Sequence, residues 1–165
     1  MGPIMLASDG FPAARAATAK AIELARSLDA PLLVTCVEQE TMPASGYYGY
    51  GQIASARKRD QQERIAEITT AVMAQAELHG VPCEPLVLSG IPGEQICRAA
   101  QARHARMIVL GAYGGGRLGR LSHDSVSTHV LNHATVPVLV VPAGDPPAPR
   151  EHVIAGEAGF ASKRR

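Results

Sequence analysis

The sequence predicts an α/β protein: a single doubly wound domain with five parallel strands and helices on both faces of the sheet. Two observations lead to this prediction. Short apolar runs alternate with segments whose apolar residues recur every three or four positions, as in a β-α-β-α-β-α-β-α-β chain. The chain has 165 residues, 46% hydrophobic and 19% charged, which suits one domain with a buried core and excludes disorder throughout.

The first two strands and the helix between them are read directly from the pattern. Residues 4–8 form a short apolar run that ends in a turn at Asp9 and Gly10. Pro12 suits the first position of a helix. One face of that helix is apolar and carries Ala14, Ala17, Ala21, Leu24, Ala25 and Leu28. Residues 32–37 are a continuous β-type run, which is typical of a strand buried on both faces.

The second half of the chain continues the alternation. A long polar helix is predicted over residues 58–79, and strands over residues 84–88, 107–110 and 138–141. Between these strands, helices are predicted through Ile96 and Ala99 and through Val126 and Val130. Pro137 precedes the last strand, which favours a position at the edge of the sheet because proline donates no hydrogen bond.

Two segments depart from this alternation. Residues 38–56 are predicted to be an exposed loop; residues 42–51 within it hold three of the four tyrosines. We interpret residues 38–56 as a variable surface loop or a contact surface for a protein partner, with a base-stacking platform as the alternative. Residues 143–165 are rich in proline at their start and end in three basic residues, so they are predicted to be a disordered tail. The folded domain is therefore expected over residues 1–142.

Net charge, apolar run length and cysteine content argue against several classes of partner and cellular location. A net charge of +1 gives no electrostatic drive toward nucleic acid or anionic lipid, so neither is an expected partner. No stretch approaches the roughly 20 apolar residues of a membrane span, and the N-terminus does not have the pattern of a secretory signal. Cys36, Cys83 and Cys97 are an odd number without CxxC spacing, so we expect reduced thiols and a cytoplasmic protein.

The glycine-rich segment after the fourth strand contains the most informative motif. Residues 114–119 match GxGxxG, but no helix begins at the third glycine and no acidic residue follows at the distance needed to hold a ribose. A different pattern fits better: Gly111, Gly114, Asp124 and Ser125 stand in the order Gly-x2-Gly-x9-Asp-Ser. With the Asp9-Gly10 turn and residues 90–96, this pattern resembles the universal stress protein family over about residues 3–142.

The resemblance implies a strand order of 3-2-1-4-5, as in adenine nucleotide alpha hydrolase-like proteins, and a homodimer formed through the C-terminal strand edge. It also implies a regulatory module that binds ATP or another adenine nucleotide (ADP or AMP), with Mg²⁺ as an accompanying ion. The binding residues that it implies are Ala7, Asp9, Val37, Gly111, Gly114, Ser125, Val126 and Ser127. By the same resemblance, Asp9 would bind the ribose or adenine end of the nucleotide and Val37 would contact the adenine through its backbone.

Each of these residues also has a purely structural interpretation. Asp9 could make an Asx bond within its turn, and Gly111 and Gly114 could serve a tight turn. Ser125 and Ser127 could cap the following helix rather than donate to a phosphate. Asp124 replaces the glycine of the family pattern, and its charge near a phosphate would cost about 1–4 kcal/mol. Asp124 is also a good residue for the helix N-cap.

Because Asp124 replaces the glycine of the family pattern, two functional alternatives to a nucleotide-binding regulatory module stay open. The second hypothesis is a dimeric protein-interaction module of the same fold that binds no nucleotide, and a weak ATP hydrolase is the third. Ser122, His123 and Asp124 are adjacent and cannot adopt the geometry of a hydrolase triad. His129 and His133 have the spacing of metal ligands on a helix, but no third ligand accompanies them. We therefore predict no catalytic residue and no metal site.

Overall fold

The apolar runs of the sequence form one parallel sheet. The computed structural model describes residues 2–39, 50–112 and 125–142. Its strands are Ile4–Ala7 (β1), Leu32–Glu38 (β2), Cys83–Ser89 (β3), Met107–Gly111 (β4) and Val138–Val141 (β5). The helices in these ranges are Pro12–Ser27 (α1), Tyr50–Leu78 (α2), Pro92–Ala102 (α3) and Val126–His133 (α4).

The order of the strands is β3-β2-β1-β4-β5, which confirms the prediction of a doubly wound sheet with the order 3-2-1-4-5. Strand β1 is central and pairs in parallel with β2 on one side and β4 on the other. Ile4 stands opposite Leu32 and Met107 in the two pairings. The chain thus changes direction across the sheet between β1 and β4, and ligands of such sheets bind at the carboxyl ends of the strands there.

The two faces of the sheet bury separate cores. Because successive strand residues point to opposite faces, Ile4 and Leu6 belong to one core and Met5 and Ala7 to the other. The first core is completed by α1 and α2, through residues such as Ala17, Ala21, Val72 and Ala76. The second core is completed by α3 and α4, through residues such as Ile96, Ala100 and Val130. Helices therefore cover both faces, as the alternating pattern predicted.

The largest difference from the sequence prediction is the start of α2. This helix begins at Tyr50 rather than at residue 58, so residues 50–56 of the predicted loop are helical. Propagating an existing helix adds one hydrogen bond for each residue that becomes ordered, and the Ala-Ser-Ala-Arg sequence at residues 54–57 offers no break. The rest of the loop prediction, residues 40–49, lies outside the described residues, as does the predicted tail at residues 143–165.

Smaller differences concern strand ends. Strand β1 ends at Ala7, one residue earlier than predicted, and β3 is longer than predicted by one residue at each end. Such shifts of one residue are usual at element ends, because hydrogen bonding to a neighbouring strand decides where a strand stops. In the parts of the chain that the structure describes, we find no helix with the length and apolar character needed to cross a membrane.

Candidate functional site

A crevice opens at the carboxyl ends of β1, β2 and β4. Its volume is about 550 Å³, within the range of pockets that hold small-molecule ligands. The end of β1, the turn after it and the ends of β2 and β4 contribute to the lining, together with side chains of α2 and the start of α4. This is the point where the direction of the strand order reverses, so the fold places the crevice where doubly wound proteins bind ligands.

Most of the residues predicted from the resemblance meet at this crevice. The lining includes Ala7, Asp9, Val37, Gly111, Val126 and Ser127. Ser125 is not part of the lining, and its hydroxyl lies 3.1 Å from that of Ser127. Gly114 and Asp124 lie outside the described residues, so their predicted roles stay predictions.

The turn after β1 is held by contacts on both sides of Asp9. Asp9 Oδ1 accepts a hydrogen bond of 3.0 Å from the backbone N–H of Phe11, the Asx bond of the structural interpretation. Between them Gly10 has a φ of +78°, in the left-handed region that favours glycine. The turn bond involves one carboxylate oxygen, which leaves the other oxygen of Asp9 free of any role in that turn. The structural and the ligand-binding interpretation of Asp9 are therefore compatible.

Arg64 connects α2 to the same turn. Its Nη2 atom donates to the backbone carbonyl of Asp9 at 3.2 Å, and its Cζ atom lies 4.7 Å from the centroid of the Phe11 ring. Both Phe11 and Arg64 line the crevice. We call Asp9, Phe11 and Arg64 the turn group. Sequence reasoning missed Phe11 and Arg64, because no local signal relates residues separated by 53 positions or more.

The end of β4 depends on close approach of two backbones. A Cβ atom at Gly111 would lie 2.7 Å from the carbonyl carbon of Ala13 and 2.8 Å from its oxygen. Glycine at position 111 therefore permits the first turn of α1 to pack against β4. The interpretation of Gly111 as part of a tight turn is wrong, since Gly111 is the last residue of β4 and pairs with Val141.

The start of α4 is capped by Ser125. The hydroxyl of Ser125 accepts from the backbone N–H of Thr128 at 3.2 Å, and its backbone is extended, as expected for an N-cap. The prediction of Asp124 as the N-cap is therefore wrong, since the helix begins one residue later than that role requires. Ser127, on the first turn of α4, lines the crevice. We call Gly111, Val126 and Ser127 the β4–α4 group.

Cys36 lies in the floor of the crevice between Thr35 and Val37. Its side chain is buried, and burial, followed by the negative charge of Asp9, raises the pKa of the Cys36 thiol to about 11. Burial is also the main cause that raises the pKa of Cys83 and of Cys97. All three cysteines are free thiols. A thiol that stays protonated at neutral pH is a poor nucleophile, so Cys36 is a packing residue.

The described lining has few groups suited to catalysis or metal binding. Asp9 is the one acidic residue among the described residues of the crevice. Nowhere in the described ranges do three or more His, Cys, Asp or Glu side chains come together in a way that could hold a metal ion. The rings of His129 and His133 stack at 4.2 Å, and His133 Nδ1 bonds to the His129 carbonyl. Both of these contacts lie within one helix.

A doubly wound sheet with a ligand-sized crevice at its switch point defines a class of α/β proteins that bind small molecules there. The particular family follows from comparison with known proteins. The model of the universal stress protein family matches residues 1–142, and the chain belongs to this family. A universal stress protein of Thermus aquaticus is 38% identical over 139 residues, which cover 84% of this chain and 96% of the relative.

Solved structures share the fold. A universal stress protein from Archaeoglobus fulgidus in complex with dAMP has a TM-score of 0.56 and 22% identity, and the match covers 86% of this chain and 98% of that chain. A universal stress protein family protein from Arabidopsis thaliana with AMP bound has a TM-score of 0.62 and 19% identity, with 86% and 93% coverage. At these identities the two structures show that the fold is the same.

Proposed function

We propose that this protein is a regulatory module that binds an adenine nucleotide in the crevice at the ends of β1, β2 and β4. The observation that carries the proposal is that Ala7, Asp9, Val37, Gly111 and Ser127 converge on one crevice of about 550 Å³. Proteins of the same family and fold have been solved with dAMP and with AMP bound, which supports an adenine nucleotide as the ligand.

The chemistry of the lining suits the two polar parts of a nucleoside monophosphate. The carboxylate of Asp9 would accept hydrogen bonds from ribose hydroxyls through the oxygen that the turn does not use. The Ser127 hydroxyl would donate to a phosphate oxygen at the start of α4, where a helix N-terminus favours negative charge. The side chains of Ile65 and Ile68, together with the backbone of Val37, would surround the base.

The proposal also specifies how many phosphates the preferred nucleotide carries. The Asp124 carboxylate would repel the phosphates of ATP more than the single phosphate of AMP, because the repulsion grows with ligand charge. We therefore expect AMP to bind more tightly than ATP. Asp9 is the one carboxylate among the described lining residues, so a Mg²⁺ ion would be held mainly by the phosphates of ATP.

Two measurements test this function. The purified protein is denatured by heat, and the supernatant is assayed for adenine nucleotides that co-purify with the chain. Titration calorimetry then compares the parent with Asp124→Gly and Asp9→Ala. We expect Asp124→Gly to bind ATP about tenfold more tightly, and Asp9→Ala to bind AMP more weakly. No measurable affinity for AMP, ADP or ATP in the parent and in Asp124→Gly would contradict the proposal.

A second function, contact with another copy of the chain, is supported by the edge of the sheet. The side chains of Val138, Leu139, Val140 and Val141 are all partly exposed, and β5 pairs on one side with β4. Among the described elements none pairs with its other side. An exposed apolar edge favours pairing with a second strand, so we propose a homodimer through β5. A monomeric mass in sedimentation at micromolar concentration would contradict it.

A further inference from the structure

Phe11 occupies a position that its side chain does not suit. It is the N-cap of α1, where Ser, Thr, Asp and Asn are preferred because their oxygens accept from the first free N–H groups. Phe11 provides no such side-chain bond. Phe11 is also 51% exposed, although a large apolar residue is more stable when it is buried. Neither capping nor burial explains a phenylalanine at this position.

The ring of Phe11 is nevertheless held in place. The Arg64 guanidinium lies over it at 4.7 Å, while Nη2 of the same guanidinium donates to the Asp9 carbonyl at 3.2 Å. A planar guanidinium can make both contacts at once, which fixes the ring against α2. Phe11 and Arg64 both line the crevice beside Asp9. The ring is thus an ordered, half-exposed aromatic surface at the edge of the candidate site.

We propose that Phe11 stacks on the purine base of the bound adenine nucleotide and that Arg64 is a positioning residue for its ring. This inference rests on the proposed function and specifies which residue recognises the base. An aromatic ring offers a base a flat apolar surface, and loss of one such stack lowers affinity about tenfold. Phe11 is two residues from Asp9, so one short turn would contact both the base and the ribose.

The substitution Phe11→Ser separates binding from stability, because it should lower affinity with little change in stability. Serine supplies the missing N-cap acceptor, which offsets the lost contact between the ring and Arg64, so the melting temperature should stay within about 4 °C of the parent. It removes the ring, so the affinities for adenosine and for AMP should both fall about tenfold. The matched variant Phe11→Leu keeps an apolar side chain without a ring and should lose the same affinity. Unchanged affinity in Phe11→Ser would overturn the inference.

The variant Phe11→Trp gives a direct signal, since the chain contains no tryptophan. Stacking on a base should change the tryptophan emission when AMP is added. Ribose 5-phosphate, which has no base, should leave the emission unchanged at the same concentration. An emission that stays constant at AMP concentrations that calorimetry shows to be saturating would overturn the inference.

Arg64 is tested by Arg64→Lys, which keeps the charge but not the planar stack. If Arg64 positions the ring, the variant should lose affinity for adenosine and for AMP by the same factor of about five to ten. A loss for AMP that clearly exceeds the loss for adenosine would mean that Arg64 contacts the phosphate, and would overturn the positioning role.

If the parent binds neither adenosine nor AMP, the proposed function fails together with this inference. If the parent binds AMP and Phe11→Ser binds it equally well, only this inference fails.

Discussion

The two groups of residues that line the crevice are built by different means. The turn group, Asp9, Phe11 and Arg64, is held by side-chain contacts between α2 and the turn after β1. The β4–α4 group, Gly111, Val126 and Ser127, depends on the backbone, because Gly111 has no room for a side chain and α4 begins at Val126. Side-chain contacts can be replaced one at a time, whereas a backbone contact is fixed by packing. We therefore expect that side chains of the turn group can be changed with an effect mainly on ligand affinity, whereas a change at Gly111 in the β4–α4 group should act mainly on fold stability.

The largest expected effect is that of a methyl group at Gly111. In Gly111→Ala the new Cβ would meet Ala13 backbone atoms at 2.7–2.8 Å, so α1 must move away from β4. We expect the free energy of unfolding to fall by about 3 kcal/mol, measured by urea denaturation. In the comparison variant Gly93→Ala, the new Cβ meets ring atoms of His129 at 2.6–2.7 Å and the His129 Cβ at 2.9 Å. Rotation of the ring relieves the first contacts but not the last, so this variant should also lose stability, by a smaller amount. Equal losses in the two variants would contradict the distinction between backbone and side-chain contacts.

The next effect concerns Cys36 and alkaline pH. The thiol ionises near pH 9.0 when unfolded and near pH 11 when folded, so its stabilisation is complete below pH 9.0 and is lost as pH rises toward 11. We expect the free energy of unfolding of the parent to fall by about 2 kcal/mol more than that of Cys36→Ala over this range. Because Asp9 contributes to the raised pKa, Asp9→Asn should make the fall slightly smaller. Parallel stability curves for the parent and Cys36→Ala would rule out this role of Cys36.

Two variants of Asp9 test whether the turn group can be altered without harm to the fold. Asp9→Asn keeps the acceptor for the Phe11 N–H but loses the charge, while Asp9→Ala loses both. We expect both to bind AMP about tenfold more weakly, equivalent to about 1.4 kcal/mol. Asp9→Ala alone should also lower the free energy of unfolding by about 1 kcal/mol. If Asp9→Asn binds AMP as tightly as the parent, the carboxylate has no role in the ligand site.

The two serines at the start of α4 provide a matched pair. Ser125→Ala removes the N-cap acceptor and should lower the free energy of unfolding by about 1 kcal/mol. Ser127→Ala leaves this cap in place and should change stability by less than about 0.5 kcal/mol, with weaker AMP binding instead. Denaturation and calorimetry on both variants check the assignment. A larger loss of stability in Ser127→Ala than in Ser125→Ala would reverse the two roles.

The smallest effect is expected from removal of residues 143–165. Their composition offers little apolar surface to bury, so the chain truncated after Pro142 should melt within about 4 °C of the parent. Neither group of the crevice is expected to need these residues. A larger fall in melting temperature would place part of this segment in the fold and extend the domain beyond residue 142.

Much of the candidate site could be predicted from the sequence because its residues follow strand ends. Gly111 is the last residue of β4, Val37 is the next-to-last residue of β2, and Asp9 follows the end of β1 by two residues. Parallel strands bring their carboxyl ends to one edge of the sheet. Phe11 and Arg64 could not be predicted in this way. Arg64 is in the middle of a long polar helix, where a single arginine is normally a solvated surface residue.

The start of α2 and the N-cap of α4 show a second feature that the sequence could not predict, namely the residue at which a helix begins. Residues 50–56 have no strong periodicity, so the sequence did not reveal where the helix begins. Asp124 and Ser125 are both good N-cap residues, and a difference of one position decides which of them caps the helix. The backbone of Ser125, extended with a ψ of 145°, is what identifies the cap.

The sequence by itself determined the order of strands and helices, the burial of the central strands on both faces and the family. These features depend on local periodicity and on motifs within a few residues, which are visible without coordinates. Only the tertiary structure decided that Arg64 contacts Asp9 and Phe11. It also decided that position 111 must be a glycine, because Ala13 leaves no room there for a side chain. Both contacts join residues that are more than 50 positions apart, and their existence depends on how α1 and α2 pack on the sheet. Such distances are set by the packing of the whole core, which no local pattern of residues encodes.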